Sequence, residues 1–103
     1  MRTFNTKTGG GAFDEAMVEA VWQKGDIDPG FPADVFRKDI CGATIHRQRH
    51  GQQVQWGWEI DHIRPVSEGG TDSIINLRPL HWANNRAKGD NYPDSTRSCK
   101  VTS

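Results

Sequence analysis

The residues of this chain with the most chemistry to offer are Asp61-His62, Asn76 and Asn84-Asn85, all within the stretch Trp58 to Asp90. Asp61 brings a carboxylate oxygen and Asn85 an amide oxygen, with Asn84 as the alternative at that place. Oxygen donors suit Mg²⁺ or Mn²⁺ better than a soft-ligand metal. Such ions keep waters and draw remaining ligands from phosphate, so two protein ligands suffice. Histidine is the side chain that titrates near neutrality. His62, beside a ligand, is therefore suited to take a proton from a water aimed at phosphorus, while the ion stabilises charge on the phosphate and the departing oxygen. A loop asparagine bonds nearby backbone, and Asn76 in that role orders the segment that carries the base. Glu59 lies two residues before Asp61, on the same side of a strand. Holding an ion-bound water and forming a surface salt bridge are equally open to it.

These groups need elements to hold them. Large apolar residues alternate with others through Trp58, Ile60 and His62, which predicts a short strand whose pairing is limited by Pro65. Glu68 to Asp72 is a turn cluster, and Ile74 to Leu80 a short extended or irregular element. His81 to Lys88 reads as a helix stopped at Gly89. Upstream, Phe13, Met17, Val18, Val21 and Trp22 fall at helical spacing, with Asp14, Glu15 and Glu19 early, so a helix is expected over Phe13 to Lys24. Gly25 to Pro32 is dense in turn residues, and Pro32 opens an expected short helix over Ala33 to Lys38. Ala43 to Gln55 is a weak strand candidate with a hairpin turn at Gly51.

A length of 103 residues allows one small domain with a thin core. The expected class is α+β: a two-stranded hairpin plus helix, preceded by a helical segment, over residues 12–90, with its centre at about 56–90. Residues 1–11, with three consecutive glycines, read as a flexible arm, and 91–103 as a disordered tail. No apolar run is long enough to span a membrane, and Met1 to Gly11 lacks the apolar stretch of a secretory signal, so a cytoplasmic address is expected. In that setting Cys41 and Cys99 read as free thiols. The formal net charge of zero argues against coating nucleic acid through bulk charge, but the charge is unevenly placed. Six acidic residues between Ala12 and Phe36 face only Lys24, whereas Arg37 to Trp58 and Ile75 to Ser103 are net basic. A phosphate-binding surface therefore belongs in the later two-thirds.

The ordered set Trp58-Glu59-Ile60-Asp61-His62-Ile63-Arg64-Pro65, Gly69-Gly70-Thr71-Asp72, Asn76-Leu77, Leu80, Asn85 and Lys88 resembles the HNH endonuclease family. The resemblance covers about a third of the chain, and the joint spacing carries it. It implies a ββα-metal finger that hydrolyses phosphodiester bonds in DNA with one divalent cation, Mg²⁺ or Mn²⁺. His62 is then the general base, Asn76 the brace of its loop, and Asp61 with Asn85 the metal ligands. Many family members also hold a structural zinc with two Cys-x-x-Cys pairs. The corresponding positions here are Lys38, Cys41, His81 and Asn84, of which only Cys41 and His81 are zinc donors, so no structural zinc is expected. Fastening of the finger should then fall to apolar packing among Trp22, Phe31, Phe36, Trp58, Leu77, Leu80 and Trp82.

Arg64, Arg86 and Lys88 are the expected phosphate contacts, since affinity independent of base sequence comes largely from Lys and Arg. His46 and His50 fit a metal cluster, a DNA-contacting strand or a solvated hairpin. Trp56 and Trp82 fit base stacking or the core. The competing class is a non-catalytic DNA-binding or adaptor module on the same finger. A single finger carries one active site and nicks one strand, so double-strand cutting requires a dimer or two visits.

Overall fold

Asp14 opens the first helix by accepting the Met17 amide at 2.8 Å, satisfying one of the donors that a helix start leaves without partners. Helix α1 then runs Glu15–Trp22, inside the span expected from its apolar spacing. The computed structural model describes residues 4–92 and 99–103. After α1 come strands β1 (Phe36–Lys38) and β2 (Thr44–His46), then β3 (Trp58–His62), β4 (Leu77–His81) and helix α2 (Trp82–Lys88). β1 pairs antiparallel with β2, and β3 with β4, in two separate two-stranded sheets. The mixed α+β class and the hairpin-plus-helix unit are both present.

The helix expected over Ala33 to Lys38 does not form. Val35 N and Phe36 N both donate to Pro32 O, which makes a single turn. Six residues are too few to sustain a helix without packing. The chain instead gains a ladder, Phe36 opposite His46 and Lys38 opposite Thr44, closed by a turn in which Gly42 takes φ +85°. Arg37 is buried there, its Nε donating to Ala33 O at 2.8 Å and Nη1 to Gln23 O at 2.9 Å.

Phe13, Val21, Trp22, Ile45, Trp58, Ile60 and Leu77 form the core, with Met17 and Val18 packed against it. Trp22 and Trp58 meet with ring centres 5.5 Å apart. Full burial of side chains of this kind contributes about 1.5–3 kcal/mol each. α1 thus rests on the β3–β4 hairpin through its apolar stripe. Leu80 is also buried, but Phe31 is 53% exposed, and Phe36 and Trp82 are only half-buried, so apolar packing is a smaller part of the fastening than the composition suggests.

The described residues at both ends of the chain bond to the domain. Asn5 Oδ1 accepts the Ile60 amide at 2.8 Å, covering the free edge of β3, and Thr8 reaches the loop after β3. At the other end, Cys99 is joined to Cys41 by a disulfide with Cα atoms 5.8 Å apart, which corrects the free-thiol expectation. Asn84 Oδ1 accepts Lys100 N and Val101 N, both at 2.7 Å, and Asn84 Nδ2 donates to Val101 O at 2.8 Å. Those backbone bonds lay the last residues against α2 and bring Cys99 to Cys41. Part of the expected tail, residues 93–98, lies outside the described residues. No helix among the described residues is long and apolar enough to cross a membrane.

Candidate active site

β3 is buried along its whole length because it is covered on both sides. Successive side chains point to opposite faces. Glu59 and Asp61 meet α2, while Ile60 joins the core and the His62 ring lies 6.0 Å from that of Phe13.

His62 ends the strand, and the loop that follows is folded tightly on itself. Asn76 is its brace: Oδ1 accepts Arg64 N at 2.8 Å, and Nδ2 donates to Arg64 O at 3.1 Å and Thr71 O at 2.8 Å. The Asn76 carbonyl accepts Ile63 N at 2.8 Å. One short side chain thus ties both ends of the loop. The glycine pair is required by the same fold. Gly69 takes φ +87°, and a Cβ on Gly70 would lie 1.7 Å from the Arg64 carbonyl oxygen.

The loop carries Asp72 back to His62. His62 Nε2 donates to Asp72 Oδ1 at 2.8 Å, and the His62 side chain is only 6% exposed. Thr8 N and Thr8 Oγ1 both donate to Asp72 at 3.1 Å. Burial works against the charge on Asp72, but the hydrogen bonds from His62 and Thr8 outweigh it and hold its carboxyl below the usual range. At neutral pH Asp72 is therefore an acceptor only. The His62 ring lines a cavity of about 470 Å³ together with Lys7, Thr8, Ser67 and Asp90.

On the other face, Asp61 is fully buried. Its Oδ2 accepts Arg78 Nε at 2.8 Å, and Lys88 Nζ lies 3.1 Å from Oδ1. The Lys88 approach is an ion pair whose direction falls outside hydrogen-bond geometry, and Asp61 Oδ1 makes no hydrogen bond. Asn85 is equally buried. Its Nδ2 donates to Glu59 Oε1 at 2.9 Å, which turns Oδ1 away with no partner at all. Buried polar atoms are normally satisfied, so the unpartnered Asn85 Oδ1 leaves a place for a cation, whereas Asp61 Oδ1 already faces the Lys88 ammonium. The donor set fits a hard divalent ion that takes its other ligands from water and phosphate. Among the described residues no cluster of three or more His, Cys, Asp or Glu side chains has metal-binding geometry, so such an ion would depend on those outside ligands.

The basic residues divide. Arg64 is exposed, with its guanidinium 5.9 Å from the Tyr92 ring centre, and its Nε donates to Glu68 O at 2.6 Å. Arg86 is also exposed but pairs with Glu59 at 2.9 Å and lies over Phe4 at 4.2 Å. Lys88 is not a surface cation. It is 2% exposed, and its ammonium donates to His62 O at 3.1 Å as well as facing Asp61. Glu59, open between two roles in the sequence, is a buried partner of Asn85 and Arg86.

His46 and His50 serve packing. His46 Nδ1 accepts the Gln48 amide at 3.1 Å, and its ring stacks 6.2 Å from Trp56. His50 Nε2 bonds Asn5 Oδ1 at 2.8 Å, and burial pushes its pKa down against the opposing pull of Glu59. Trp82 Nε1 donates to Val54 O at 3.0 Å.

Around Cys41, His81 and Asn84 lies a polar clasp. Asp39, 2% exposed, accepts Cys41 N and Ala43 N at 2.9 Å through Oδ1. Its Oδ2 accepts His81 N at 2.9 Å and Asn84 Nδ2 at 3.1 Å. One carboxylate thereby joins the β1–β2 turn to the start of α2, with the disulfide beside it. Cys41 is committed to that disulfide and is not a free thiolate donor. His81 Nδ1 caps α2 by accepting the Ala83 amide at 3.1 Å. Burial pushes the His81 pKa down, against the charges of Asp39 and Glu59. Asp39, Asp72 and Thr8 went unnoticed in the sequence. Only the position of Asp72 in the glycine-turn motif marked it at all.

The described finger is thus a strand–loop–strand–helix unit whose first strand ends on His62. The HNH endonuclease family model matches residues 39–91, just over half of the chain, and the protein belongs to that family. No curated protein and no solved structure gives a significant match.

Proposed function

We propose that the protein is a metal-dependent DNA endonuclease in which His62 is the general base. The observation that carries this reading is the setting of His62. Its Nε2 is committed to a carboxylate, its ring lines the cavity, and its loop is locked by Asn76. With the proton on Nε2, the lone pair of a neutral ring is on Nδ1, ready to accept a proton from water. Asp61 and Asn85 would hold the ion through their Oδ1 oxygens. A bound Mg²⁺ or Mn²⁺ supplies charge stabilisation on the phosphate and on the leaving oxygen. Arg64 and Arg86 are both exposed and can meet a phosphate. Lys88 anchors the end of β3 through the His62 carbonyl. The cytoplasmic address expected from the sequence has to accommodate the Cys41–Cys99 bond, which reducing cytosol opposes.

The test is plasmid cleavage across divalent metals with wild type beside His62→Ala. The variant should lose roughly 100-fold or more of its rate, the scale of general-base catalysis. Cleavage at the wild-type rate by His62→Ala would overturn the mechanism. A second reading, a DNA-binding module without catalysis, is favoured by one observation: the Asp61 carboxylate already has Arg78 and Lys88 as counter-charges. Salt-sensitive DNA binding with no metal-dependent cleavage would establish it.

A further inference from the structure

We infer that Asp72, held in turn by Thr8 of the N-terminal arm, is the positioning residue that sets the orientation and tautomer of the His62 ring. The inference deepens the proposed function and rests on His62 being the base.

Asp72 bonds His62 at 2.8 Å and Thr8 at 3.1 Å. It lies ten residues beyond His62, across a loop whose Asn76 brace and glycine pair fix the path of the chain between them. The loop delivers one carboxylate oxygen to Nε2 at 2.8 Å. A carboxylate there accepts a hydrogen bond only from a protonated nitrogen, so it selects the ring form with hydrogen on Nε2 and the lone pair on Nδ1. An aspartate on a turn is by itself free to rotate, with several solvent-exposed orientations to choose from. Thr8 removes that freedom. Its backbone amide spans both Asp72 oxygens, and its hydroxyl holds Oδ2, all at 3.1 Å. Asn5 fixes the arm in its turn, through the Ile60 amide and His50. A segment of glycine-rich composition thereby becomes a wall of the cavity that His62 lines, with Lys7 and Thr8 facing the same space. Asp72 touches neither substrate nor ion in this scheme and acts through His62.

The experiment uses the full chain with Asp72→Asn, Asp72→Glu and Thr8→Ala. Nitrogen NMR of the His62 ring reports the tautomer, and steady-state cleavage separates kcat from KM. In wild type the ring should carry its proton on Nε2. Asp72→Asn should give a mixture of tautomers and lower kcat by roughly 10- to 100-fold, the usual scale for a residue that orients a reacting group, with KM within about twofold. Asp72→Glu should restore part of both signals. Thr8→Ala should move both the same way by less, with kcat down on the order of fivefold, the worth of one net hydrogen bond. An unchanged tautomer and unchanged kcat in Asp72→Asn would overturn the inference. A loss that Asp72→Glu shares in full, with the ring signal unmoved, would also overturn it, since a merely structural role behaves that way. If wild type cuts no DNA, the proposed function fails, yet the ring signal still decides whether Asp72 governs His62.

Discussion

Two regions of this small protein solve the same problem by opposite means. In the loop between β3 and β4, a functional side chain is held by many short-range bonds from neighbours in sequence: Asn76 reaches Arg64 and Thr71, and Asp72 reaches His62. At the junction of β1–β2 with α2, segments distant in sequence are gathered by one buried carboxylate, Asp39, and one disulfide. The first arrangement makes a precise site at little cost in core. The second holds together segments that no local contact could join.

The comparison can be broken at its strongest point by Asp39→Ala. Four donors would lose their acceptor at once, and buried donors left unmade cost about 1–3 kcal/mol each, so a loss of about 3 kcal/mol or more is expected. Chemical denaturation measures it. Cleavage per folded molecule should be unchanged, because no catalytic group bonds Asp39.

Cys99→Ser comes next. The bridge closes a sequence separation of 58 residues, and releasing it should cost about 2–4 kcal/mol by the loss of restraint on the unfolded chain. Reduction of wild type should reproduce the shift in the denaturation midpoint. A variant of equal stability would mean that the Asn84 bonds to the last residues suffice alone.

Asn76→Ala should have the smallest effect on stability and the sharper one on activity. Its bonds lie in an exposed loop, so a loss of about 1 kcal/mol is expected in the same denaturation experiment. The rate should nonetheless fall by roughly 10- to 100-fold, because the loop that carries Asp72 to His62 is no longer fixed. An equal fall for Asp39→Ala and Asn76→Ala, per folded molecule, would erase the distinction between fastening and site.

Much of the site could be read from the sequence, for a physical reason. His62, Asn76 and the glycine pair act through contacts within about one loop length, so their order along the chain already encodes their geometry. α1, β3 and α2 were visible for a similar reason, since apolar period and caps are local properties. β1 was not. Six residues after Pro32 carry no decisive local preference, and pairing with β2 chose the strand.

What the sequence by itself determined is the family and the β3–β4 hairpin with its helix, and with them the candidate residues Asp61, His62, Asn76 and Asn85. Tertiary structure decided everything that depends on distant segments meeting. It buried Lys88 against Asp61, laid the arm along β3, joined Cys41 to Cys99, and gave Asp39 four donors from two places in the chain. Polar residues on short loops look alike in a sequence because their value lies in which partner they find. Only the packed core, by fixing where each segment ends, selects that partner.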